Sequence, residues 1–198
     1  ADLVAGADRA IQASESLSDP QAFVSGYAES WHDVDGLYWE LAAEARSAPG
    51  TAELQAVADR AYLHYLQTTN AGFRKALNGM SDWQEWGEAL VSRGARTLWS
   101  GSGRRAVLIV DALRHDLAER LMRRAANGQP ALTHWVAAIP PTTPVGMTAL
   151  LPDGLSQLTA VLSSGHLCLQ HPQFGDLAIK ENRRKLLRAR EQGVELLE

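Results

Sequence analysis

Five apolar residues in unbroken succession, Ala106-Val107-Leu108-Ile109-Val110, run directly into Asp111. A strand with one wet face alternates apolar and polar residues. A run without alternation predicts a strand covered on both sides, as in a parallel sheet between layers of helix. The following residues fit that frame. Leu113, Leu117, Leu121 and Met122 repeat at helical spacing as far as the stop at Asn127-Gly128, and His134 to Ile139 reads as the next strand, ending at Pro140-Pro141. Strand, helix and strand in that order imply parallel pairing through a right-handed crossover.

The residues before this run follow a different pattern. Asp19-Pro20 places a capping residue ahead of a proline at a first helical position. Phe23, Tyr27, Trp31, Val34, Leu37, Tyr38 and Leu41 then recur every three or four residues, up to the breaker Ser47-Ala48-Pro49-Gly50. A second helix carries Leu54, Val57, Ala61, Leu63, Leu66 and Phe73 to Asn78-Gly79, and Ser81-Asp82 opens a short one with Trp83 and Trp86. Residues 1–100 therefore read as a helical region, and 101–198, after the loop Ser100-Gly101-Ser102-Gly103, as the first part of an α/β domain with a parallel sheet. Beyond the second strand, a helix is expected from Pro144 to Leu151, a hairpin around Ser163-Ser164-Gly165, and a last basic helix from Ile179 to Arg190. The six tryptophans fit a helical core or docking surface better than a cofactor box, and His32, His64 and Asp35 read as structural, with no pair of them at ligand spacing.

Composition narrows the function classes. Hydrophobic residues make up 45% and charged residues 21% of the 198, the balance of a globular protein. No apolar run is long enough to span a bilayer. Cys168 is the single cysteine, which excludes an internal disulfide and a cysteine-built zinc site and points to a reducing cytoplasm. A net charge of −4 argues against the whole surface being a trap for nucleic acid. The chain begins Ala1-Asp2-Leu3 without a methionine and ends in Gly193 to Glu198, a turn and a strand just starting, so an excised piece of a larger protein is expected.

In open parallel sheets ligands bind outside the carboxyl ends of the strands, and Asp111 and Thr143 both fall there. A carboxylate at such an edge can ligate a divalent metal. Thr143 before Pro144 reads as an N-cap, a setting that favours an anion and eases formation of an alkoxide. Together they suggest metal-assisted phosphoryl chemistry, in which a metal holds phosphate and lowers the pKa of an in-line hydroxyl.

The stretch Ala106 to Arg114, followed by Ile139-Pro140-Pro141-Thr142-Thr143-Pro144-Val145-Gly146-Met147-Thr148-Ala149-Leu150-Leu151-Pro152, resembles the PglZ family of the alkaline phosphatase superfamily. Trp31 to Tyr38 also resembles the region upstream in such proteins. The resemblance implies two divalent metals, usually Zn2+, with Asp111 as the first metal-binding aspartate. Thr143 would be a nucleophile that also bridges to metal, with Thr142 as the fallback. It implies the biology of bacterial BREX and phage-growth-limitation defence, with proteins of the defence complex as partners and no membrane. The family's remaining ligands come from later strands; His166, His171, Asp153 and Asp176 match none of its motifs. Arg114 is a candidate phosphate contact or a solvated first-turn residue, beside His115. Arg183, Arg184, Lys185, Arg188 and Arg190 offer a nucleic-acid contact or a solvated face. The alternative to an enzyme is a non-catalytic scaffold or interaction module of the same complex.

Overall fold

The structure is a computed structural model that describes residues 1–82, 95–99, 106–110, 113–125, 132–135, 137, 142–152 and 157–190. The chain divides into two compact units, Ala1–Trp83 with Ala112–His134, and Gln84–Asp111 with Trp135–Glu198.

The first unit is helical. Helix α1 (Asp2–Glu15) buries Leu3, Ala7, Ala10, Ile11 and Ser14, one stripe at three- and four-residue spacing. Helix α2 (Pro20–Gly26) starts as its sequence requires, with the Asp19 carboxylate accepting from the Gln21 amide at 3.0 Å. It passes through a π-helical turn (Tyr27–Trp31) into α3 (His32–Ser47). Helix α4 (Ala52–Gly79) packs against α1 and α3. Phe23 meets Trp31 and Phe73 edge-on in the core, with ring centroids 6.0 and 5.8 Å apart. The buried face of α4 is Ala58, Tyr65, Thr69 and Ala76, with Tyr62, Leu66 and Phe73 half-buried beside it. Leu54, Val57 and Leu63, expected on that stripe, are exposed. The tyrosines take the inner face, and each step along a helix turns a side chain by about 100°.

Helix α5 (His115–Arg124) packs on α3. A Cβ on Gly36 would lie 3.2 Å from an Arg120 guanidinium nitrogen, and Arg120 reaches on to Glu40 at 2.6 Å.

In the second unit, residues 95–99 are helical, and helix α6 (Thr143–Ala149) precedes an antiparallel sheet in the order β1 (Thr159–Ser163), β2 (His166–His171), β3 (Gly175–Asp176). The expected hairpin closes through Ser164 and Gly165, with φ of 52° and 78°, both left-handed as a two-residue type I′ turn demands. Helix α7 (Lys180–Arg190) lays Leu186 and Leu187 on a core with Val145, Ala149, Leu151, Leu169 and Leu177. The Trp99 indole N–H donates to the Leu150 carbonyl at 2.6 Å and holds the edge of that core.

The described residues are thus mainly helical with one small antiparallel sheet. Residues 106–110, expected as a strand buried on both faces, carry no regular secondary structure, and Leu108 is 87% exposed. The described part of the next expected strand, 134, 135 and 137, carries none either, and the rest of it lies outside the described residues. A strand draws its hydrogen bonds from a neighbour, and among the described residues no neighbour pairs with these segments. The short helix expected around Trp83 and Trp86 also lies outside the described residues. Among the described residues no helix is long and apolar enough to cross a membrane.

Gly26 gives a direct test of the first core. A Cβ on it would stand 2.8 and 2.9 Å from two Trp31 ring carbons. Alanine is favoured over glycine in a helix by about 1 kcal/mol, but overpacking a core costs about 1–3 kcal/mol. Packing decides the sign, so Gly26→Ala should lower stability by about 1–2 kcal/mol in denaturant unfolding. A rise in stability would show that Trp31 does not rest on this glycine.

Candidate functional site

Asp111 lies outside the described residues, as do Pro140 and Pro141. Thr143 is the first residue of α6 and is exposed. The N-cap is Thr142, not Thr143: its backbone is extended (φ −93°, ψ 149°) and its carbonyl accepts from the Gly146 amide at 2.9 Å. Its side chain makes no capping hydrogen bond. The first turn takes in both Thr143 and Pro144, although a following proline disfavours helical geometry for Thr143. The opposite face of α6 is anchored. Val145, Thr148 and Ala149 are buried, and the Thr148 hydroxyl donates to the Leu177 carbonyl at 3.4 Å. A Cβ on Gly146 would meet nothing within 4 Å, so packing does not demand glycine at that motif position.

Arg114 belongs to the helical unit and is partly exposed but engaged. It stands at the N-cap of α5 and grips Asp116 with two bonds, Nε to Oδ1 at 2.9 Å and Nη2 to Oδ2 at 2.8 Å. Its guanidinium lies 5.0 Å above the Trp39 ring. Those bonds hold the buried Asp116 carboxyl below the usual carboxylate range, and they raise Arg114 in turn. A fork already closed on a carboxylate is not presented to a phosphate.

The same unit holds a cluster that the sequence did not group. Asp35 is 7% exposed and accepts from the Tyr27 hydroxyl at 2.6 Å and the Tyr62 hydroxyl at 2.8 Å. Tyr38 stacks on Tyr62 at 3.9 Å, and the Tyr65 hydroxyl donates to the Trp31 carbonyl at 3.3 Å. The expected structural role of Asp35 fits these bonds. His32 is buried, with its ring 4.7 Å from that of His115, which also meets Tyr27 at 5.8 Å and His134 at 6.1 Å. Burial lowers the pKa of His115, and His32 and His134 push it the same way. No spacing rule links residues so far apart in sequence, and only the Arg-His-Asp triplet at the start of α5 draws the eye to His115.

The remaining candidates are engaged locally or exposed. The Asp176 carboxylate accepts from the Leu169 and Ala178 amides at 2.8 and 3.0 Å, fastening β2 to the turn before α7. His171 Nδ1 accepts from the Gln173 and Phe174 amides at 3.1 and 3.3 Å. His166 opens β2 and is exposed, and Asp153 lies outside the described residues. On α7, Arg183 donates to the Leu177 and Ala178 carbonyls and Arg184 pairs with Glu181, while Lys185, Arg188 and Arg190 are exposed. Among the described residues no group of three His, Cys, Asp or Glu side chains is disposed to hold a metal ion. No protein-family model, curated protein or solved structure matches this chain.

All four tyrosines, Tyr27, Tyr38, Tyr62 and Tyr65, have raised pKa values, through burial first. For Tyr27 and Tyr62 the hydrogen bond to Asp35 comes next. Such phenols release their protons at higher pH when folded than when unfolded. Their contribution to stability is whole below about pH 10 and falls as pH rises beyond it. Tyrosinate absorbance should therefore lag behind that of the denatured chain. Asp35→Asn should bring part of it back toward about pH 10, and an unmoved titration curve would refute the carboxylate's hold on the two phenols.

Proposed function

We propose that this chain is part of a metal-dependent phosphohydrolase similar to the PglZ family, acting on a phosphodiester or phosphomonoester in bacterial phage defence. The reading is carried by one observation. Thr143 opens α6 on an exposed end while Val145, Thr148 and Ala149 pin the rest of the helix into a core, and it does so inside the Thr-x-x-Gly-Met-x-Ala-Leu-Leu-Pro sequence. A nucleophile needs such a mounting: a reachable hydroxyl on a backbone that does not drift, because a misplacement of about 1 Å can cost a hundredfold in rate.

In this reading Asp111 is a metal ligand and Thr143 both attacks phosphorus and ligates metal. A carboxylate and an alkoxide are oxygen donors suited to a divalent ion such as Zn2+. When bound, the metal lowers the pKa of the hydroxyl and neutralises charge on the phosphoryl oxygens. The chain's own part is to hold the Thr143 hydroxyl in line, form the phosphothreonine ester and release the leaving group. Arg114, closed on Asp116, takes no part. A two-metal site needs more ligands than these two, and in the family they come from later strands.

A second reading, an interaction module without turnover, draws on an apolar stripe. Leu117 and Leu121 on α5 and Leu113 just ahead of it are all exposed, Leu121 at 61%. In the full-length protein the enzyme reading expects Asp111→Ala and Thr143→Ala each to reduce Zn2+-dependent phosphodiester hydrolysis by about a thousandfold or more. Unchanged turnover in both variants would leave only the interaction module.

A further inference from the structure

We propose that His32 and His115 are an acid-sensitive latch: α5 stays docked on α3 while both imidazoles are neutral, and a further proton on them releases it. The latch lies in the helical unit and involves neither Asp111 nor Thr143.

Helix α5 meets α3 through polar side chains. Asp116 is its one buried residue, while Leu117 and Leu121 are exposed. Its hold consists of the Arg120–Glu40 ion pair, the Arg114 guanidinium over Trp39, and His115 against the rings of His32 and Tyr27, at 4.7 and 5.8 Å. Both partners of the ion pair are well exposed, so it contributes little. Docking therefore leans on the ring cluster.

That cluster suits neutral rings. Nδ1 of His32 lies 2.9 Å from the Tyr27 carbonyl oxygen, which can only accept, so Nδ1 carries the proton and Nε2 the lone pair. This Nε2 and both ring nitrogens of His115 are shielded from solvent, with no hydrogen-bond partner among the described residues. A further proton on either ring makes a cation that water does not reach and no acceptor receives, beside a second imidazole.

The surrounding charges offset this little. Around His115, Asp116 is closed on Arg114, Glu119 pairs with Arg123 at 3.3 Å, and the exposed His134 repels once charged. On the π turn and α3, the Tyr27 hydroxyl is already donated to Asp35, whose other oxygen accepts from Tyr62. Asp33 Oδ1 stands 3.7 Å from His32 Nε2, beyond hydrogen-bond reach, on a side chain 64% exposed and open to screening. Burial, then His32, lower the pKa of His115 against the opposing pull of Glu119 and Asp116. His115 thus takes a proton more readily with α5 released than docked. Docking is at full strength above about pH 6.5 and weakens as pH falls below it.

Hydrogen-exchange mass spectrometry of the whole chain at about pH 7.5 and about pH 5, corrected for intrinsic exchange, tests the latch. Carboxylates of ordinary pKa, about 4, stay ionised over that range, so the change reports imidazole. Helix α5 should lose at least about fivefold in protection at the lower pH while α1 and α4 keep theirs. His115→Phe keeps a ring against Tyr27 but takes no proton, and its α5 should be equally protected at both pH values. His32→Asn, which retains a donor for the Tyr27 carbonyl, is the second variant and should shrink the loss as well. Wild-type protection that ignores pH, a loss shared equally by α1 and α4, or a loss undiminished in either folded variant would each overturn the proposal.

Discussion

Asp35 is enclosed by helices, and a carboxylate in that position is tolerable only while donors occupy its oxygens. Both donors are tyrosine hydroxyls, one from the π-helical turn and one from α4. Meeting that demand ties α3 to α4 at a fixed rotation and places Tyr62 where Tyr38 stacks on it. The π turn is where two packing environments meet. Across it, Trp31 rests on Gly26 and meets Phe23, while the next residue, His32, meets Tyr27 and His115. A second buried carboxylate, Asp116, follows the same rule with a different partner. Arg114 closes on it before α5 begins. The helical unit is therefore specified by satisfied charges as much as by its apolar stripe.

The second unit rests on shape. Thr148 is fully buried and its hydroxyl is spent on a carbonyl, Asp176 is spent on two amides, and Arg183 on two carbonyls. Three polar residues that a sequence reader would weigh as ligands or nucleic-acid contacts serve to close backbone ends that no strand or helix satisfies. Thr143 differs in being exposed at the end of an element whose other face is buried.

What the sequence disclosed follows the range of the forces involved. Asp19-Pro20, the two-residue turn at Ser164-Gly165 and the helix before Arg190 are set by atoms a few residues apart, and all three were readable. The face of α4 was not, because which stripe of a long helix turns inward depends on what it meets. Tyr65 and Thr69 displaced the leucines expected there. The π turn has no periodic signature. His32 and His115 come together only once α5 has docked, so their shared environment is a tertiary fact. Arg114 was legible as an anion-binding fork, but its anion proved to be Asp116, two residues away.

The run 106–110 illustrates the same limit from the other side. Sequence states a demand for burial, and the demand is plain: five apolar residues with no polar break. Supply is a property of neighbours. Among the described residues none pairs with this run, and Leu113 ahead of α5 and Leu117 and Leu121 on it are exposed as well. These two apolar surfaces flank Asp111 in the chain. An exposed run that is apolar throughout gains free energy from whatever surface covers it.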